Sequence, residues 1–100
     1  MMVMTNNDEN DNLEVIAHKR ALVMTLGNTR DLKALISMLE KEDQSIIKQH
    51  ILVVLAALGK QESIPAIQQL IVREQDQNII AKANEAISTI QRMSEYSKPF

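Results

Sequence analysis

The sequence predicts an all-α protein, and three observations support this. The chain has 100 residues, of which 45% are hydrophobic while only Tyr96 and Phe100 are aromatic. That composition suits helices packed through Leu, Ile, Val, Ala and Met. Apolar residues recur every three or four positions along most of the chain, as they do on one face of a helix. A segment that ends at Gly27 is matched by another that ends at Gly59. We therefore expect a single domain of repeated helical units.

The helical domain is expected to cover residues 12–95. Residues 1–11 are rich in Asn and Asp without helical periodicity, which predicts a flexible N-terminal tail, and residues 96–100 are expected to form a short C-terminal tail. The net charge is −2, and without residues 1–11 the chain has eleven basic and ten acidic residues. A nearly neutral body lacks the basic footprint of sequence-independent nucleic-acid binding.

The sequence lacks cysteine, a secretory signal and a membrane-spanning segment. There is no cysteine, which excludes disulfides, thiol nucleophiles and thiolate metal ligands and suits a reducing compartment. The N-terminus has neither the basic nor the long apolar region of a secretory signal, and no apolar run approaches the ~18 residues of a membrane span. We expect a soluble, cytoplasmic protein that does not contact the membrane.

The first helix is predicted from about Leu13 to Leu26. Asp11 or Asn12 is expected to cap its N-terminus, because a side-chain oxygen there accepts N–H groups of the first turn. Gly27 is expected to end the helix as a left-handed C-cap.

Four further helices are predicted, with Asp43 and Asp76 as N-caps of the third and fifth. Gly59 should end the third helix, and Pro65 fits the first turn of the fourth, where its missing N–H costs little. The expected ranges begin at about residues 29 or 31, 44, 63 and 77, and the second, third and fifth helices end at about 41, 58 and 93 or 95. The inward stripes are Leu32, Leu35, Ile36, Met38 and Leu39; Ile47, Ile51, Val54, Leu55 and Leu58; Ile64, Ile67, Leu70 and Ile71; and Ile79, Ala83, Ala86, Ile87 and Ile90.

The spacing from Gly27 to Gly59 is an offset of 32 in the residue numbering, and we call it the repeat offset. It relates most of the chain to itself without a gap. Val15, Ile47 and Ile79 share one column at this offset, and Glu42 shares another with Glu74. The letters A-L-G close one helix and S-I-P-A-I-Q-Q-L-I open the next.

This pattern resembles the HEAT repeats, particularly the short HEAT-like class found in bacterial proteins and phycobilisome lyases. The resemblance covers residues 13–91, about two and a half units. It implies a short right-handed α-solenoid of about five antiparallel helices and a role in binding other proteins. The loop-adjacent arginine common in such repeats is replaced here by Ile16, Lys48 and Ile80, and the proline before the second A-type helix is replaced by Lys33.

The second helix of each unit usually lines the surface that binds partners, which here means the first, third and fifth helices. Leu52 and Val53 lie opposite the predicted core stripe and are expected to be exposed. We expect this face to bind another protein or to be covered by one of the tails. A second copy of the chain is a further alternative, giving a homodimer through Leu13, Ala17, Ala21 and Met24. The predicted partner-binding residues are Leu13, Ala17, Arg20, Ala21, Met24, Gln49, Leu52, Val53, Ala56 and Asn84.

The sequence contains no recognised catalytic, metal or cofactor motif, and we expect a non-enzymatic adaptor or small regulatory subunit without cofactors. An inhibitor or immunity protein that blocks one enzyme or toxin fits equally well. A nucleic-acid-associated protein using Arg20, Lys48 and Lys82 is a weaker alternative. His18 and His50 share a column with Lys82. We expect the two histidines to pack between units or to bond a neighbouring carbonyl, rather than to bind metal or act as a pH sensor.

Overall fold

A computed structural model describes the backbone of residues 3–96 and the side chains of residues 13–94. Within this part of the chain all regular structure is helical, so the prediction of an all-α protein is confirmed. The elements are α1 (Val3–Asn28), α2 (Leu32–Lys41), α3 (Ser45–Leu58), a 3₁₀ turn (Gln61–Ser63), α4 (Ile64–Arg73) and α5 (Gln77–Tyr96).

The first helix begins earlier than the sequence predicts. It starts at Val3 instead of about Leu13, so the backbone of residues 3–11 is helical where we expected a tail. Asp11 and Asn12 therefore lie inside the helix and do not cap its N-terminus. Adding a turn to an existing helix avoids the cost of nucleation, and the sequence pattern does not register this. The predicted C-terminal tail begins at Tyr96, whose backbone belongs to α5, and its residues 97–100 lie outside the described part of the chain.

The end of α1 also differs from the prediction. Gly27 remains inside the helix, and the left-handed residue is Arg30, with φ of 57°. The Asp31 N–H donates to the Leu26 carbonyl at 2.9 Å, and the Arg30 N–H donates to the Gly27 carbonyl at 3.1 Å. These two hydrogen bonds form a Schellman motif with an arginine at the position that usually holds glycine.

Gly27 allows α1 to pack closely against α3 and does not form a turn. A Cβ atom at this position would lie 2.8 Å from Val54 Cγ1 of α3, so glycine permits the two helices to approach. Gly59 does end α3 as predicted, with φ of 66° and its N–H donating to the Leu55 carbonyl at 3.1 Å.

The remaining caps follow the prediction in part. Asp31 accepts the Ala34 N–H at 3.2 Å, and Asp76 accepts the Asn78 N–H at 2.9 Å. Pro65 lies in the first turn of α4. Asp43 does not cap α3, because the helix begins at Ser45 and Gln44 is at the N-cap position. The Gln44 N–H donates to the Glu42 carboxylate at 3.0 Å.

The third helix is the centre of the core because it packs against both α1 and α5. The second helix contacts α1, α3 and α4, and α4 contacts α5. The predicted inward stripes supply most of the core: Leu35, Leu39, Ile47, Ile51, Leu55, Ile67, Leu70, Ile79, Ala83, Ala86 and Ile90 are buried.

Two glutamates link successive parts of the helical array. Glu42 follows α2 and pairs with Lys19 of α1 at 2.9 Å, while Glu74 follows α4 and pairs with Lys48 of α3 at 2.8 Å. Each carboxylate also accepts a backbone N–H two residues later, from Gln44 in the first case and from Asp76 in the second. The two glutamates are separated by the repeat offset and so occupy equivalent positions. The two lysine–glutamate pairs therefore link α1 to the end of α2 and α3 to the end of α4.

Candidate partner-binding surface

Most of the residues predicted to bind a partner are accessible. Leu13 and Met24 of α1 are 65% and 58% exposed, and Val53 of α3 is 50% exposed. Ala17, Arg20, Ala21 and Asn84 are also exposed, and Gln49 and Ala56 are half-buried.

The prediction that Leu52 is exposed is wrong, because its side chain is completely buried in the core. The apolar periodicity of α3 predicts a single core stripe. In the structure α3 has a neighbouring helix on each side, which widens its buried arc as far as Leu52. Val53, one residue further along, is half exposed.

A hollow of about 330 Å³ lies on this surface between α1 and α3. We call it the first hollow. Met24 and Val53 stand at its edge, and the other side chains around it are largely apolar. Its lining consists of Met24, Gly27, Asn28, His50, Val53, Val54, Ala57 and Leu58.

A second hollow, of about 110 Å³, lies between α3 and α5 on the other side of Val53. It is lined by Leu52, Val53, Ala56, Lys82, Glu85, Ala86 and Thr89. Five of these residues follow five residues of the first hollow by the repeat offset, and the pairs are Met24 and Ala56, His50 and Lys82, Val53 and Glu85, Val54 and Ala86, and Ala57 and Thr89. The two hollows thus occupy equivalent places, one where α1 meets α3 and one where α3 meets α5. The lining of the first is largely apolar, whereas that of the second includes charged side chains.

His50 is the main polar side chain in the first hollow. It is half-buried, and its Nδ1 atom is buried without a hydrogen-bond partner among the described residues. Burial, and secondly the positive charge of Arg20, lower the pKa of His50 from its ordinary value of 6.5. The imidazole is therefore neutral at neutral pH.

Comparison with protein-family models, curated proteins and solved structures gave no match. The geometry of the site is therefore the basis for assigning a function. Among the described residues, no three His, Asp or Glu side chains are grouped so that they could hold a metal ion. None of the helices searched in that part of the chain has the length and apolar character needed to span a bilayer.

The basic residues of the nucleic-acid alternative do not form a common patch. Lys48 is paired with Glu74, and Lys82 lies 3.9 Å from Glu85. Arg20 is exposed and lies near His50. The members of the column of His18, His50 and Lys82 also have different surroundings. His18 is exposed, whereas His50 lies between α1 and α3, and its Nδ1 bonds no carbonyl of the described residues.

Sequence reasoning missed Gly27, His50, Val54 and Ala57 as residues that line one hollow. The sequence pattern predicts Gly27 as a helix end and Val54 as a core residue. The signal that identifies the hollow is the glycine within α1, because a position without a side chain on one helix brings the neighbouring helix closer and shapes the groove beside it. The glycine alone does not reveal this from the sequence, since it fits a C-cap equally well.

Proposed function

We propose that this chain is a cytoplasmic, non-enzymatic protein-interaction module that holds a partner protein against α1 and α3. The observation that carries this proposal is the first hollow, whose apolar lining is flanked by the exposed side chains of Met24 and Val53. Exposed apolar surface around a concavity is typical of protein-binding sites. An adaptor, a regulatory subunit and an inhibitor would all use the surface in this way.

We also propose that the architecture is a short right-handed solenoid of the HEAT-like type. Support comes from Glu42 and Glu74 with the backbone hydrogen bonds that they accept, the equivalent hollows and the matching order of helices, all of which are related by the repeat offset. In such an array the surface formed by α1, α3 and α5 is the binding face. The partner then contacts the apolar first hollow on one side of Val53. On the other side of Val53 it contacts the charged second hollow, which Lys82 and Glu85 line.

A pair of valines provides the test of partner binding. Val53 lies on the proposed surface and is 50% exposed, whereas Val72 lies on α4 and is 86% exposed. We expect Val53→Glu to reduce the amount of co-purified partner by at least about ten-fold, and Val72→Glu to leave it unchanged. Both variants should keep the helical circular-dichroism spectrum. Equal losses in the two variants, or no loss in Val53→Glu, would contradict the proposal.

Self-association is a second candidate, favoured by a separate part of α1. Val15 and Leu22 are 42% and 48% exposed. Their equivalents at the repeat offset are less accessible, because Ile47 is fully buried and Val54 is half-buried. The side of α1 that has no neighbouring helix in the described structure therefore carries two exposed apolar side chains. A second copy of the chain placed there would cover it.

Analytical ultracentrifugation at several protein concentrations tests this second candidate. We expect a monomer–dimer equilibrium that Leu22→Glu shifts to the monomer and that Val53→Glu leaves unchanged. A single monomeric species at all concentrations, or equal effects of the two variants, would rule out a dimer through this side of α1.

A further inference from the structure

We propose that two copies of this chain exchange α1, so that α1 of each copy packs against α3 of the other. In this exchanged dimer the residues between α1 and α2, 29–31, which we call the first connection, are straight, and the two helices become one. The proposal goes beyond the proposed function, because it depends on the first connection and not on the surface that binds a partner. Three properties of the first connection and one of the α1 interface support it.

The first connection holds a residue in an unfavourable backbone conformation. Arg30 has a φ of 57°, a left-handed value that is disfavoured for residues with a Cβ atom. In the second connection, residues 59–63 between α3 and α4, the left-handed residue is Gly59, which adopts this conformation without strain. Straightening the first connection returns Arg30 to the right-handed helical region in both copies. The strain therefore favours exchange at the first connection and not at the second.

The sequence of the first connection is compatible with a continuous helix. Pro65 lies in the first turn of α4. It prevents α3 and α4 from joining, because a proline ring clashes with the carbonyl four residues earlier and proline has no N–H to donate. The equivalent of Pro65 at the repeat offset is Lys33, a good helix former. No proline or glycine lies between Asn28 and Lys41, so the block present at the second connection is missing at the first.

Helical hydrogen bonds already reach both sides of the first connection. The Thr29 N–H donates to the Thr25 carbonyl at 3.0 Å, and Thr29 Oγ1 donates to the same carbonyl at 3.0 Å, as threonine does inside helices. The Leu35 N–H donates to the Asp31 carbonyl at 3.1 Å. Both backbone bonds join residues four apart, as in an α-helix. Straightening therefore requires new partners for the N–H groups of residues 30–34 alone.

The α1 interface can form again between two copies. This helix is the first of the array and packs against α2 and α3. Val23 is fully buried in that interface, and Lys19 pairs with Glu42 at 2.9 Å. In the exchanged dimer both residues make these contacts with the other copy, which makes exchange a low-cost route to a dimer. The first hollow also forms again, from α1 of one copy and α3 of the other, so the dimer presents two such surfaces.

A disulfide between α1 and α3 distinguishes the exchanged dimer from a dimer of intact monomers. A Cβ atom at Gly27 would lie 3.9 Å from the Cβ atom of Val54, and disulfides join Cβ atoms that are about 3.5–4.5 Å apart. The chain has no cysteine, so Gly27→Cys combined with Val54→Cys introduces this pair and no other. In the monomer the disulfide closes within one chain, whereas in the exchanged dimer it joins two chains.

The double-cysteine variant is unfolded in guanidinium and refolded under reducing conditions at high and at low protein concentration. Dimers are isolated by gel filtration, diluted and then oxidised. We expect a dimer after refolding at high concentration, and we expect it to remain a covalent dimer in non-reducing gel electrophoresis with detergent. A dimer that separates into single oxidised chains would overturn the proposal and indicate a dimer through the exposed side of α1. The absence of a dimer at every concentration would overturn it as well.

Two substitutions in the cysteine-free chain shift the exchange in opposite directions. Lys33→Pro copies Pro65, which the bent second connection accepts, and should lower the dimer association constant at least about a hundred-fold while the monomer keeps its helical circular-dichroism spectrum. Asp31 accepts the Ala34 N–H at 3.2 Å as the N-cap of α2, a role that it has only in the bent form. Asp31→Ala should therefore raise the association constant about ten-fold. A constant that Lys33→Pro leaves unchanged, or that Asp31→Ala lowers, would contradict exchange through the first connection.

Discussion

The junction of α1 with α3 and the junction of α3 with α5 have the same parts but use them differently. Each has a glycine at the C-terminal part of the leading helix, a lysine–glutamate pair at its side and a hollow on its outer surface. At the first junction the glycine lies within the helix and the hollow is apolar. At the second junction the glycine ends the helix and Lys82 and Glu85 line the hollow.

The comparison distinguishes the residues that hold the helices together, which we call the framework, from the residues that face outward. Positions that set the framework, such as Glu42 and Glu74, make the same contacts at both junctions. Positions that face outward, such as Val53 and its equivalent Glu85, differ completely. Binding specificity is therefore expected to lie in the outward positions of the first junction, and the following changes test this division in order of decreasing effect.

The largest expected effect is a difference in unfolding free energy between substitutions at two adjacent residues of α3. Leu52 is fully buried while Val53 is 50% exposed. Leu52→Glu places an unpaired carboxylate in the core and should cost more than about 4 kcal/mol of unfolding free energy, enough to unfold much of the protein. Val53→Glu should cost less than about 1 kcal/mol.

Thermal and urea denaturation of the two variants measure this difference directly. Similar losses of stability in both would mean that Val53 also belongs to the framework. In that event the outer surface of α3 would not be free to bind a partner.

The two lysines should differ in the stability that they contribute. Lys48 has 16% of its side-chain area exposed, and Lys19 has 35%. Lys48→Met leaves the largely buried Glu74 carboxylate without its partner and should cost about 2 kcal/mol. Lys19→Met should cost about 1 kcal/mol or less. Its partner Glu42 is only 3% exposed, but Lys19 is the more exposed of the two lysines, so water can enter the place that its ammonium leaves.

Urea denaturation near neutral pH gives both values. Arginine at either position serves as a control that keeps the charge. A larger loss from the Lys19 change than from the Lys48 change would contradict the ranking by burial.

Substitutions of the two glycines should destabilise the protein for different reasons. In Gly27→Ala the new Cβ meets Val54 Cγ1 at 2.8 Å, and we expect a net loss of about 1 kcal/mol after the gain in helix propensity. Combining it with Val54→Ala should restore part of the loss. Gly59→Ala should cost about 1–2 kcal/mol because of its left-handed backbone.

Met93→Ala provides the matched comparison for the second glycine. Its methyl group lies 2.7 Å from the position of a Cβ at Gly59, but a flexible methionine moves easily. We therefore expect no rescue of Gly59→Ala by Met93→Ala. A rescue there, or its absence at Gly27, would reverse the assignment of the two glycines.

The smallest effect concerns pH. Because burial and Arg20 lower the pKa of His50 in the folded protein, the unfolded chain binds more protons at mildly acidic pH. The stabilisation is present above the unfolded value of about 6.5 and is lost as the pH falls through the folded value. Glu74, whose pKa is lowered chiefly by the hydrogen bond from Lys48, contributes in the same direction but only below its ordinary value of 4.5.

Melting temperatures at about pH 7.5 and about pH 5.5 isolate the histidine. The decrease on acidification should be smaller in His50→Gln than in the unmodified chain. His18→Gln, at an exposed position, is the control. An unchanged decrease in His50→Gln would show that another group causes it.

Much of the fold follows from the sequence because apolar periodicity specifies which residues face inward. Leu35, Ile51, Ile67 and Ile79 were all placed in the core by that rule and are buried. The rule treats each helix alone, so it did not anticipate that α3 has a neighbour on each side and that Leu52 is covered.

The site was less predictable than the fold. Met24 and Val53 were identified from their position on the outer face, but the hollow depends on how closely two helices approach. Gly27 determines that distance, and in the sequence it cannot be told apart from the helix-ending Gly59. Arg30 in a left-handed conformation likewise breaks the residue preference on which the prediction of the helix end relied.

Site-specific photocrosslinking in living cells tests the central claim most directly. A photoreactive amino acid placed at position 53 should form one dominant adduct with a partner protein, and at position 72 it should form at least about ten-fold less of that adduct. The same adduct in equal yield at both positions, or its absence at position 53, would contradict the claim that the surface between α1 and α3 is where the partner binds.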